Sequence, residues 1–450
     1  MTPIPEEPEV FSKGERLMHR TRPRLLIAIA IAATASLALS ACSNSPDGGS
    51  SGDSASASAS DEPITLTLNN WGEFGFAPII AQYEAEHPNI TVQINNGDYN
   101  TQHQNLQKFL VAGSGAPDIA MSDEGYIVQF RGQADKFVDL NTLGAGDYSD
   151  KFLDWDWQSG TAEDGTQFAI GDDVGGLAMC YRRDLFEAAG LPSDRAEVSA
   201  LWPTWDDFIA AGEQYVAGSG GKKFVDSGVN IFNPAMRQQE VGFFDTEENL
   251  SMDKGPKVAW DIATEIIDKG LSANIPSQTP EWNAGMQNGD YAVLACPSWM
   301  LARIQSLAPD SSGQWDIADM PGGGGNWGGS FFMIPKQGKH IAEAWDVIKY
   351  LLAPENQISI FQNAGLLPAQ PALYEEPALL DYANPYFNNA PVGEIFTTSA
   401  KNFIYQYQGL KSGVVRTAVE GALTQVMEGS LSATEGWDVA VTEAEKAAEG

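Results

Sequence analysis

The chain has 450 residues, with 60 Asp and Glu against 26 Lys and Arg and a formal net charge of −34. That surplus excludes nucleic acid and anionic membrane surfaces as partners, because a polyanion is repelled by so acidic a surface. Three cysteines and four histidines, none in a CxxC pair or at ligand spacing, exclude redox catalysis and leave no metal site to expect.

Lys13, Arg16, Arg20, Arg22 and Arg24 precede a mostly apolar run from Leu25 to Leu39. The run is too short to span a bilayer comfortably and reads as the hydrophobic region of an export signal. It ends in Leu39-Ser40-Ala41-Cys42, which resembles the bacterial lipobox. Residues 1–41 are therefore expected to be a lipoprotein signal peptide and Cys42 the lipidated mature N-terminus, the alternative being an ordinary signal with an incidental cysteine. Residues 42–62, mostly Ser, Ala, Gly and Asp, bury too little apolar surface to offset the entropy of ordering. They read as a flexible tether with a reach of about 25 Å. The 409 residues that follow residue 41 are numerous enough for two globular domains with substantial cores.

Ile64, Leu66 and Leu68 alternate with threonines, as in a strand; Phe76, Ile79, Ile80 and Tyr83 fall at helical spacing, closed by His87-Pro88. Ile90, Val92 and Ile94 alternate again, Leu106, Phe109 and Leu110 mark a second helix stopped at Gly113-Ser114-Gly115, and Ile119 to Met121 makes a third strand. The order β-α-β-α-β predicts a largely parallel sheet, with a ligand edge beyond its strand ends. There stand Asn69, Asn70 and Trp71, then Asp98 and Tyr99, then Asp123 and Glu124. These are hydrogen-bonding and aromatic groups, suited to a polar, uncharged ligand.

Trp155 and Trp157 alternate with Asp154 and Asp156, a spacing that fits a half-buried extended segment as well as a contribution to a ligand site. Gln167 to Tyr181 reads as extended chain crossing to a second domain, whose first helix starts near Arg183. Trp205 to Val216 is helical, with Thr204 or Asp206 as its cap. Residues 322–329, rich in glycine, precede the apolar run Phe331 to Ile334 and read as a return crossing. Cys180 and Cys296 are an even pair in a chain expected to be exported. Bridged, they would close a long loop worth about 4–5 kcal/mol; unbridged, they would be buried thiols.

The run Gly171 to Phe186 with Gly190-Leu191-Pro192 resembles the crossover strand and following helix of the family 1 extracellular solute-binding proteins of ABC sugar importers. Trp202-Pro203-Thr204-Trp205, Pro297-Ser298-Trp299-Met300, Asn326 to Ser330 and Ala353-Pro354-Glu355 carry the resemblance onward. Trp282 to Met300, Gly322 to Phe332, Asn384 to Phe387 and Ala390 to Gly393 are similar to actinobacterial cellobiose and cello-oligosaccharide receptors. The resemblance implies an α/β, two-lobe, periplasmic-binding-protein-like fold of type II, with discontinuous lobes joined by a hinge. The first lobe would comprise 63–168 and 330–372, the second 169–329 and 373–450. It further implies a monomeric, non-enzymatic receptor on the outer face of the cell membrane, passing a short oligosaccharide to an ABC permease without a cofactor. Xylo-, malto- or galacto-oligosaccharides, or a secreted glycoside-acting enzyme, are the alternatives.

A pyranose has an apolar C–H face and a rim of hydroxyls, so its pocket pairs aromatic platforms with carboxylates or amides. The chain has 12 tryptophans, more than its cores need. Trp299 matches the family position that stacks on the sugar, and Trp327, Trp282 and Trp71 are the further platforms expected. Asp123, Glu124 and Asp173 are the expected carboxylates and Asn70, Asn326 and Gln104 the amides, with surface solvation or core packing as each residue's competing role. A hydrolase would need two positioned carboxylates, which 60 acidic residues make impossible to single out. No P-loop or GxGxxG sits between a strand and a helix.

Overall fold

The structure, a computed structural model, describes residues 62–449; the expected signal peptide, Cys42 and nearly all of the tether lie outside the described residues. Strands β1 (Ile64–Trp71), β2 (Ile90–Gly97) and β3 (Ile119–Asp123) are linked by helices Ala77–Glu86 and Tyr99–Ala112. β1 pairs in parallel with β2, from Ile64↔Ile90 to Trp71↔Gly97, and with β3 at Leu68↔Ile119. Leu66 and Leu68 are fully buried beneath Ile79, Ile80 and Tyr83 of the first helix, each aliphatic side chain contributing about 1.5–3 kcal/mol. Asp98 caps the second helix by accepting from Thr101 N at 2.9 Å, and Gly113 ends it at φ 70°.

The chain then leaves the parallel pattern. β4 (Ile170–Arg182) and β8 (Asn326–Met333) run antiparallel through the centre of the molecule, flanked by β5 (Lys223–Val225), β6 (Tyr291–Pro297), β7 (Trp315–Ala318) and β9 (Leu367–Pro368). The strand path is β2-β1-β3-β8-β4-β6-β5, with β7 and β9 paired to β4. The expectation of a largely parallel sheet therefore holds for β2-β1-β3 and for β5-β6 alone; the centre is antiparallel, β8 pairing antiparallel with both β3 and β4. A second expectation changes near Trp155. Asp154–Ser159 is a short helix with two acidic residues in its first turn, where negative charge suits the helix dipole.

β4 is 13 residues long and buried throughout. Val174, Ala178 and Cys180 face one hydrophobic cluster, continuous from Leu66 and Leu68 to Trp282 and Trp315. Leu177, Met179 and Tyr181, pointing the other way, face a second cluster with Trp202, Phe208 and Trp260. Cys180 and Cys296 are disulfide-bonded, tying β4 to β6. Glycine is required where β4 and β8 meet. A Cβ on Gly175 would stand 1.9 Å from the Trp327 carbonyl oxygen, and Gly328, at φ 97°, comes within 2.9 Å of the Trp299 indole nitrogen by the same measure.

Candidate ligand-binding cleft

A cavity of about 670 Å³ opens beyond the carboxyl ends of β1, β2 and β3, the usual ligand edge of such a sheet and a size suited to a small ligand. Its floor is the β4–β8 crossing, at Asp173 and Trp327 to Ser330. Its far wall comes from helices Gly228–Arg237, Pro280–Asn288, Met300–Leu307 and Ser412–Met427. Thus residues nearly 350 positions apart along the chain, Trp71 and Glu420, line one space.

Trp71, Trp282, Trp299, Trp327, Asp123, Glu124 and Asp173 all line it. Trp299 and Trp327 are half-buried and meet edge to face, ring centres 5.9 Å apart, with the Trp299 indole N–H donating to the Trp327 carbonyl at 2.9 Å. Opposite them Trp71 is held edge-on by Phe74 and Tyr99 at 5.4 and 5.7 Å. Trp282 differs, being 1 % exposed, with its N–H on Asp226 Oδ2 at 2.7 Å and the Arg303 guanidinium over its ring. It is a backing wall more than an open platform. The structure places Asn70 and Asn326 outside the cavity lining. Asn70 is turned inward by the strand's alternation, since Trp71 next to it faces the cleft. Asn326 clamps the crossing, accepting from Gly175 N at 2.7 Å and donating to the Gly328 carbonyl at 2.8 Å. Gln104 is exposed on its helix.

The carboxylates are held in different ways. Asp123 caps helix Glu124–Arg131 by accepting from Gly125 N at 2.8 Å, and it also accepts the Tyr99 hydroxyl at 2.8 Å. Its own N–H donates to His103 Nε2 at 2.9 Å, which places the ring proton on Nδ1, facing the Tyr99 carbonyl at 2.6 Å. Burial pushes the His103 pKa down, so the ring stays neutral as this network requires. Glu124 accepts from Arg237 Nη1 at 2.9 Å, while its buried Oε2 has no partner. Burial pushes Glu124 up despite the nearby Arg237. Asp173, bonded to the Ser330 hydroxyl, is pushed up to about 7 by burial.

The sequence matches the profile of the bacterial extracellular solute-binding protein family over residues 78–385. A crystal structure of a family 1 extracellular solute-binding protein superposes with a TM-score of 0.76 at 38 % identity, covering 86 % of this chain and all of that one. The chain belongs to the family 1 extracellular solute-binding proteins. The arabinooligosaccharide-binding protein of Bacillus subtilis (strain 168) is 26 % identical over 307 residues, 64 % of this chain and 68 % of that relative. The ABC transporter associated binding protein from B. animalis subsp. lactis Bl-04, solved in complex with β-1,6-galactobiose, has a TM-score of 0.74 at 21 % identity over 86 % of this chain and 98 % of that one, a likeness of fold.

The family consists of binding proteins, which removes the glycoside-acting alternative. Its two-lobe α/β architecture is the fold class expected from the sequence. Among the described residues no helix is long and apolar enough to cross a membrane, and no cluster of His, Cys, Asp and Glu could hold a metal ion. Arg237, Arg303, Arg416, Asp226 and Glu420 also line the cleft and were not singled out from the sequence. Most lie on helices remote in sequence from the strand ends. Arg303 alone left a readable signal, standing one helical turn after Trp299.

Proposed function

We propose that this solute-binding protein captures a short oligosaccharide, cello-oligosaccharide by preference, and delivers it to an ABC permease while tethered to the outer face of the cell membrane through Cys42. The observation that carries this reading is the cavity of about 670 Å³ lined by three half-buried indoles, Trp71, Trp299 and Trp327, together with the carboxylates Asp123, Glu124 and Asp173. Indoles cover the C–H faces of pyranoses and the carboxylates take their hydroxyls. The lobes would be 63–168 with 330–372 and 169–329 with 373–450, and the protein a monomer. Ligand would draw them together about the β4–β8 crossing, favouring the closed form by its differential affinity.

An arabino-oligosaccharide is the second reading, supported by the name of the B. subtilis relative. A thermal-shift and calorimetric panel of cellobiose, cellotriose, xylobiose, arabinobiose, maltose and lactose separates the two. One sugar class should raise stability by about 2.7 kcal/mol at a hundredfold excess over Kd, and Trp299→Ala should cost about 2 kcal/mol of that binding. A chain that titrates no saccharide, or releases monosaccharide from one, is not this receptor.

A further inference from the structure

Three arginines line the cleft, and two of them are matched by acidic or polar neighbours. Arg237 is ion-paired with Glu124 at 2.9 Å. Arg416 is 3.9 Å from Glu420 and is further held charged by Tyr99 and Asp123. Arg303 has no hydrogen-bond or ion-pair partner among the described residues, and its buried Nε is unsatisfied. Its guanidinium lies over the Trp282 ring, 5.3 Å from the ring centre. Asp226, bonded to the nitrogen of that same indole, already accepts from Asn230 and Ser227 as well, so three of its lone-pair sites are engaged elsewhere.

The placement is specific. Trp299, Arg303 and Ser306 all line the cavity, at i, i+4 and i+7 along the start and body of helix Met300–Leu307, so they share one helix face. The Arg303 Cα thus stands about 6 Å beyond that of Trp299 along the helix axis, with Gln278 and Asn230 also on the wall. A guanidinium held over an aromatic face can present its terminal N–H groups as a fork, a geometry that matches the two oxygens of a carboxylate. One uncompensated positive charge matches a single negative one.

We propose that Arg303, backed by Trp282, is a subsite for the carboxylate of a uronic acid residue, so that the ligands include oligosaccharides carrying one acidic sugar beside the neutral residue on Trp299. The inference rests on the oligosaccharide reading above, and departs from it in the charge of the ligand.

Calorimetry on the intact protein with matched pairs tests it: cellobiose against cellobiouronic acid, and xylotriose against glucuronosyl-xylotriose. In at least one pair the acidic member should bind roughly tenfold tighter or better, with an advantage that shrinks at high salt. Arg303→Gln should bring the acidic-to-neutral affinity ratio to about one, and Arg303→Lys should retain part of it. Using the ratio cancels any general loss of folded protein. If neutral sugars bind and their acidic counterparts bind no tighter, or if the preference survives Arg303→Gln, the acidic subsite is wrong and the receptor reading stands. If no saccharide of either kind binds, both are wrong.

Discussion

Among the described residues, Asp156 is a carboxyl group buried without a hydrogen-bond partner. It is 1 % exposed, neither carboxyl oxygen has a partner, and it lies so close to Gly171 that a Cβ there would collide with it. Burial, then the neighbouring Asp173 and Asp172, push its pKa well above the usual carboxylate range. Because the folded form prefers the proton, the stability it contributes is complete below the ordinary carboxylate range and is lost as pH rises through the raised value. Asp173, pushed up to about 7, works in the same direction. Asp156→Asn, which is neutral at every pH, should therefore raise the melting temperature near pH 8 and leave it close to wild type near pH 4. Thermal unfolding across that range reads the difference, and a variant destabilised near pH 8 but close to wild type near pH 4 would show that the carboxyl is wanted ionised. None of this was visible in Asp154-Trp155-Asp156-Trp157, where burial depends on residues far along the chain.

β4 does more than connect. Its alternate residues belong to different hydrophobic clusters, and Cys180 is bonded to Cys296 of β6 with Cα atoms 5.4 Å apart and a sequence separation of 116. The strands are already paired there, at Ala178↔Cys296 and Cys180↔Leu294, so the bridge reinforces an existing ladder and restricts chiefly the unfolded chain. Replacing both cysteines with alanine should cost about 2–5 kcal/mol, seen as a lower denaturant midpoint with an unaltered native spectrum. Both sulfurs are fully buried, so reductant should generate free thiols only once the chain unfolds. Ready reduction of the native protein would contradict that placement.

Across the cleft, the pair Glu124–Arg237 joins the end of β3 to helix Gly228–Arg237, both side chains 9 % exposed. Removing one partner of a buried ion pair costs about 3–5 kcal/mol, because the other charge is left uncompensated. In the proposed hinged receptor that cost falls on the closed form. Arg237→Met should give the unliganded protein a larger radius of gyration by small-angle scattering than wild type, with saccharide shifting it back. An unchanged radius would mean that the pair does not report on closure.

Local pattern carried much of the reading. The alternation of Ile64, Leu66 and Leu68, the cap at Thr204, the stop at Gly113 and the long crossing strand stand in the structure as the sequence predicts. So do the family and its two-lobe class. These arise from periodicity, turn chemistry and ordered motifs, which neighbouring residues express without help. Strand direction at the centre of the sheet, the inward turn of Asn70, the clamp made by Asn326 and the unmatched charge of Arg303 have another origin. Each depends on which distant segment packs alongside, and a side chain's burial, partners and charge balance are properties of that neighbour as much as of the residue.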